Sequence, residues 1–221
     1  MATEQLTQML TQGTWDTLYV TVVSTLLAYI IGIPLGVLLY GTTQGSLFPN
    51  KGVNTVVGVV VNILRSIPFI ILLILTQPVA KAMVGSKLGN QAFIVYLVIA
   101  AAPFVARMIE SSLREVDGGV IEAAQSMGSS NFQIIYKVLI PEAKPSLLVG
   151  SAIAITTILG YTPMTYLVGG GGLGQLAIQY GIYRSNATMM YAASLLIILL
   201  VQIMQEVLSA VAKKSDKRIR K

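Results

Sequence analysis

Five apolar stretches separated by polar or glycine-rich segments set the pattern of this 221-residue chain. They fall at about 17–40, 53–77, 91–110, 146–168 and 188–212, and each is long enough to cross a bilayer as a helix. The first is bracketed by Trp15 and Tyr19 at one edge and Tyr40 at the other, as aromatic residues bracket a membrane interface. Four of the five carry a proline, Pro34, Pro68, Pro103 and Pro163, and each predicts a bend because it frees a carbonyl one turn back. Gly32 and Gly36 form a small-residue face for close helix packing. The pattern divides the chain into a polar tail (1–13), one transmembrane unit (14–211) and a basic tail (212–221), with no internal repeat.

Composition agrees with the pattern. Hydrophobic residues make up 54%, charged residues 11%, and mean hydropathy is +0.74, which places the chain in a membrane. A net charge of +6 raises the question of nucleic acid, but six of the fifteen Lys and Arg lie in the closing KKSDKRIRK. A basic run after an apolar helix reads instead as an anchor on anionic lipid, so no nucleic-acid partner is expected. Without cysteine or histidine the chain offers no thiol chemistry and no histidine-ligated metal or base. Residues 1–16 have no basic leader pattern, so no cleavable signal peptide is expected.

Charge also orients the spans. With the N-terminus outside, Lys51, Arg107, Arg114, Lys137, Lys144 and the six tail charges lie in the cytoplasm, against Lys81, Lys87 and Arg184 outside. Eleven against three fixes the C-terminus and the loop between spans three and four as cytoplasmic.

Polar residues inside the spans are the candidates for a path. Arg65, in NILRSIPF, either snorkels to the cytoplasmic interface or faces a path and attracts a carboxylate. In the fourth span Thr157, Tyr161 and Thr165 recur at i, i+4 and i+8 on one helical face. They suit a polar passage or hydrogen bonds between helices. Met164, beside Pro163, is either a soft plug for a narrow path or core filler. The run from Gly169 to Gly174 has no GK[ST] and no preceding strand, so it reads as a flexible outer or re-entrant turn rather than a nucleotide loop.

The polar interruption at 118–141, GGVIEAAQSMGSSNFQIIYKVLIP, predicts a short helix over 120–127 and a stop at Gly128. An amphipathic run from Phe132 to Val138 follows and leads to Pro141. The spacing of Glu122-Ala123-Ala124, Gly128 and Val138-Leu139-Ile140-Pro141 resembles the signature of bacterial type I ABC importer membrane subunits, with two apolar swaps. Arg65-Ser66-Ile67-Pro68-Phe69, and GGGGLG followed by Gln179-Tyr180-Gly181, are similar to the methionine permease branch. That branch usually continues Ala-Met-Ala-Gly where this chain has Pro163-Met164-Thr165-Tyr166.

The resemblance implies an all-α membrane protein with five transmembrane helices, an outer N-terminus, a cytoplasmic C-terminus and a cytoplasmic coupling helix between spans three and four. It further implies a plasma-membrane permease that moves a small amino acid, above all methionine, inward by alternating access, or a related importer for another small solute. The expected partners are a second copy of the chain, two cytoplasmic ATPase subunits and an extracytoplasmic substrate-binding lipoprotein. ATP and Mg are expected on the ATPase, with no cofactor on this chain, and the chain is not itself an enzyme. Glu122, Ala123, Ala124, Gly128 and Pro141 would form the ATPase-coupling loop. A stand-alone channel or ion-coupled carrier fits less well, because it would want acids inside the spans, whereas Glu110 and Glu206 lie near span ends.

Overall fold

The computed structural model describes residues 3–215; of the basic tail, the part from 216 to 221 lies outside the described residues. Among the described residues the chain is all-helical. Its first half comprises α1 (Thr3–Gly41), α2 (Lys51–Ser66), α3 (Phe69–Leu75), α4 (Gln77–Val84) and α5 (Gly89–Arg114). Then follow α6 (Gly118–Ser126), α7 (Asn131–Ile134), α8 (Ile140–Tyr161), α9 (Leu173–Ile178) and α10 (Ala187–Ser215).

α5 is the centre of the fold. Phe93, Tyr96, Leu97, Val105 and Leu113 along it are fully buried. α1 lies against it through a stripe of small residues. Thr17, Thr21 and Thr25 donate their hydroxyls to carbonyls one turn back at 2.8, 2.7 and 2.7 Å, which pairs all three in this buried face. Ala28, Gly32 and Gly36 continue the stripe. A Cβ at Gly32 would stand 2.6 Å from Val105 Cγ1, and one at Gly36 2.6 Å from the Ala106 carbonyl. The glycine face is therefore consumed within the chain, as close packing of α1 on α5.

α1 also runs beyond the first apolar stretch. Its 39 residues reach about 58 Å, roughly twice the bilayer core. The early turns, expected from sequence as a polar tail, are helical because Leu6, Met9 and Leu10 share one face and pack on Leu173, Leu176 and Met189. At the other end of α1 the Phe48 ring lies over Gly41, where a Cβ would stand 2.2 Å from Cζ. Asn54 of α2 donates to the Leu39 carbonyl at 2.8 Å and to Thr42 Oγ1 at 3.0 Å, closing the C-terminus of α1.

The second apolar stretch is not one straight span. α2 stops at Ser66, Ile67 is extended (φ −82°, ψ 124°), and α3 leaves at 110° to α2. Pro68 accounts for the break: it has no N–H for the Leu64 carbonyl, and it drives the residue before it out of helical conformation. Among the described residues four helices are long and apolar enough to cross a membrane, or five if this bent pair counts as one.

Pro141 does not interrupt its helix. Asn131–Val168 is one helical run, with a π-helical turn at Ile135–Leu139 just before Pro141 in the first turn of α8. The wide turn falls where the proline withholds an N–H from the carbonyl of Lys137. Beyond Tyr161 the run tightens to a 3₁₀ helix, Thr162–Val168, and ends at Gly169 with φ 63°.

Candidate functional site

The loop between α5 and α8 is specified almost wholly by its local sequence. Asp117 caps α6 by accepting from the Gly119 N–H at 2.7 Å. At the other end the Gly128 N–H donates to the Gln125 carbonyl at 2.9 Å and the Ser129 N–H to that of Ala124 at 3.1 Å. This paired closure is the Schellman motif, and Gly128 takes the required left-handed conformation with φ 78°. Ser130 and Gln133 then form a capping box that starts α7.

In that frame Ala124 is buried beside Ile134, Leu139 and Ala143. Glu122 and Ala123 are exposed, as is Pro141. So are three large apolar side chains on the same loop, Met127 (79%), Phe132 (76%) and Tyr136 (65%). Large apolar side chains exposed on an otherwise polar loop are a feature of interaction surfaces.

The second feature is a cleft of about 250 Å³ under the α2–α3 break. Its walls include Arg65, Phe69, Ala100, Phe104, Thr157 and Tyr161. Phe69, the first residue of α3, stacks on Tyr161 with ring centroids 4.6 Å apart and meets Phe93 edge-on at 5.8 Å. These contacts hold the bent pair against α5 and α8. Ala100, which faces the cleft, lies near the midpoint of α5, about 17 Å from its start and about 21 Å from its end. Arg65 thus sits opposite the middle of the longest buried helix, exposed to the cleft, and makes no hydrogen bond or ion pair among the described residues.

Of the path candidates, the structure brings Arg65, Thr157 and Tyr161 together here, while Met164 and Thr165 line no part of this cleft. Thr165 is buried, and its hydroxyl has no partner among the described residues. Met164 packs at the edge of the main core. The 3₁₀ turn explains the split, because at three residues per turn the i, i+4 register of an α-helix no longer keeps one face.

Two further hollows follow the same side of α8. One, about 340 Å³, shares Thr157 with the cleft and adds Thr156, Gln205 and Ser209. The next, about 430 Å³, shares Val149 and Ser209 and is flanked by Glu142 and Lys213. Because Thr157 belongs to the first two hollows, and Val149 and Ser209 to the second and third, the three adjoin along α8 as a stepped groove.

An ionic cluster lies below the break. Glu110, 5% exposed, accepts from Arg107 and from Arg114, each at 2.7 Å. Arg107 also donates to the Gly58 carbonyl at 3.2 Å and to Asn62 Oδ1 at 3.0 Å, which ties α5 to the last turns of α2. Arg114 donates to Thr43 at 3.1 Å. Asn131, at the start of α7, donates to the Leu47 carbonyl at 2.7 Å and joins the loop to the same corner. Sequence reasoning placed Arg107, Glu110 and Arg114 only as charges on one side. Their i, i+3 and i, i+4 spacing was the signal for a helical triad.

The glycine run is locked rather than free. The Gly171 N–H donates to Asn90 Oδ1 at 2.8 Å and the Leu173 N–H to Thr17 Oγ1 at 2.9 Å, and Gly172 adopts φ 129°. A Cβ on Gly174 would lie 2.4 Å from Pro163 Cα. Side chains in this run would separate it from α1, α5 and the 3₁₀ turn.

Comparison with known proteins agrees with this architecture. Residues 5–221 match the family described as "Binding-protein-dependent transport system inner membrane component". A Vibrio cholerae protein named "Probable D-methionine transport system permease protein MetI" is 46% identical over 210 residues, 95% of this chain and 93% of its own. The Bacillus subtilis "Methionine import system permease protein MetP" is 46% identical over 181 residues, 82% of each chain. A chain from an inward-facing crystal form of the MetNI methionine ABC transporter superposes with TM-score 0.94 at 42% identity, over 97% of this chain and all of that one. An amino acid ABC transporter shares the fold at TM-score 0.78 and 18% identity, covering 95% of each chain. On sequence and fold together, this chain is a member of the binding-protein-dependent transport system inner membrane component family, the multi-pass membrane subunits of ABC importers.

Proposed function

We propose that the chain is the permease of an ATP-driven importer that carries methionine into the cell by alternating access. It acts as a homodimer with two cytoplasmic ATPase subunits, which bind the ATP and Mg, and an external substrate-binding lipoprotein. One observation carries the proposal: a relative named as a probable D-methionine transport system permease is 46% identical over 95% of the chain. In this reading there are five spans, the second of them the bent α2–α3 pair. The N-terminus lies outside, and α6 is the cytoplasmic coupling helix.

In this reading each part has a physical task. Glu122 and Ala123 face outward from α6, with Met127, Phe132 and Tyr136 nearby for a partner to cover. α6 cannot slide on its support, because Ala124 is buried and the Schellman closure fixes its end. Force applied to the loop passes into α8 without a break, since α7, the π-helical turn and α8 are one helical run. It passes into α2 through the Asn131–Leu47 contact and the Arg107–Asn62 contact. Movement of either helix changes the width of the cleft between them. The solute leaves that cleft along the stepped groove on α8, whose hydroxyls and amide, Thr157, Thr156, Gln205 and Ser209, solvate it without holding it.

Co-expression with the partner ATPase tests the docking. The wild-type chain should carry the ATPase through purification, and Glu122→Lys should lose it while the permease stays folded and dimeric. An ATPase retained equally by both would remove α6 from the interface.

A further inference from the structure

We propose that Arg65 is a carboxylate anchor inside the membrane: the transported amino acid pauses in the α2–α3 cleft with its carboxylate on the guanidinium and its side chain against Phe69 and Phe104. The inference rests on the methionine-importer reading and adds to it a stopping point and a chemical basis for recognition.

The charge on Arg65 comes first. An arginine at mid-membrane depth is costly and is retained where it meets a partner or a wet cavity. Arg107 and Arg114, on the neighbouring helix, both have a carboxylate partner in Glu110. Among the described residues Arg65 has none, and no acidic side chain is among those lining its cleft. Of these three arginines it alone has no described counter-charge, so the complementary charge arrives with the solute. A planar guanidinium suits a carboxylate, which it grips through two parallel N–H donors.

The rest of the cleft suits the rest of an amino acid with a thioether side chain. Phe104, and the part of the Phe69 ring that lines the cleft beside Tyr161, supply aromatic surface against which a sulfur packs well. The volume, about 250 Å³, is enough for one small amino acid. For the ammonium group the described lining offers neutral groups alone: the Thr157 and Tyr161 hydroxyls and the backbone of Leu64, whose carbonyl has no i+4 N–H because Pro68 holds that position. Recognition is therefore unequal. The carboxylate is required, whereas the ammonium is tolerated and weakly held. That inequality also favours release, because one ion pair in a site open to water is easily exchanged.

Photo-labelling tests this on the intact permease–ATPase complex in lipid vesicles. The probe is a methionine analogue with a diazirine in its side chain and both backbone charges intact. In the absence of ATP we expect label on the peptides bearing Phe69 and Tyr161. Methionine and its 2-hydroxy analogue, which lacks the ammonium, should displace it, and methioninamide, which lacks the carboxylate, should not. Arg65→Gln should cut the labelling at least tenfold and Arg65→Lys by less. The competition with methioninamide uses the wild-type chain, so it stands even if the Arg65 variants do not fold. Equal displacement by methioninamide, or undiminished label with Arg65→Gln, would overturn the anchor. So would a wild-type complex that imports methionine yet takes no label in the cleft, a result that leaves the importer reading intact. A wild-type complex that imports no methionine at all would remove both.

Discussion

Replacing Glu110 with glutamine should destabilise the protein by an amount that its surroundings set. The carboxylate is nearly buried and holds two guanidinium groups at 2.7 Å. Arg107 is 26% exposed at the side chain and Arg114 51%, so the two contacts are not equal. A charge-assisted bond to a buried group is worth about 1.5–3 kcal/mol. The Arg114 pair, half in solvent, is worth roughly 0.2–1 kcal/mol after screening. Glutamine keeps one neutral acceptor but leaves Arg107 without a counter-charge, with its Nε already buried and unpaired. The expected loss is about 2–4 kcal/mol, or roughly 5–15 °C in melting temperature for a chain of this size. Thermal unfolding of the detergent-solubilised permease, followed by the amount surviving size exclusion after heating, measures it. A double-mutant cycle with Arg107→Met then isolates the pair, and the two changes should fall short of additivity by at least 1 kcal/mol. A drop of less than about 2 °C, or strict additivity, would show that the cluster is a solvated surface feature and would remove the proposed tie between α5 and α2.

Two other outcomes follow from the glycines and from the charge pattern. Gly174→Ala should cost about 1–3 kcal/mol, since its methyl would meet the backbone of Pro163, whereas Gly160→Ala meets nothing within 4 Å and should be neutral or stabilising; melting of the two variants compares them directly. A cysteine at Ser86 should react with an impermeant maleimide from outside the cell and one at Ser215 should not, and because the native chain has no cysteine the reverse pattern would invert the topology.

The helical class and the α6 loop were legible because their signals are local. Asp117, Gly128, Ser130 and Gln133 each act on backbone groups within five residues. Pro68 announced a bend but not its size, since the 110° angle depends on Phe69 finding Tyr161 and Phe93. Thr165 was grouped with Thr157 and Tyr161 on an α-helical period that the chain gives up at Thr162. The glycine run read as a flexible turn because its partners, Thr17 and Asn90, lie 156 and 81 residues away in sequence. The early turns of α1 read as a polar tail for the same reason: the surface that orders Leu6, Met9 and Leu10 comes from α9 and α10.

ATP-dependent methionine uptake is the most direct test of the whole account. The permease, its ATPase and its binding protein are reconstituted in vesicles, with ATP enclosed and labelled methionine and binding protein outside. Uptake should require enclosed ATP. Gly128→Pro should abolish it while sparing insertion and dimerisation, because proline cannot take the left-handed conformation that ends α6. Uptake that proceeds without ATP, or that survives Gly128→Pro at the wild-type rate, would contradict an importer driven through this loop.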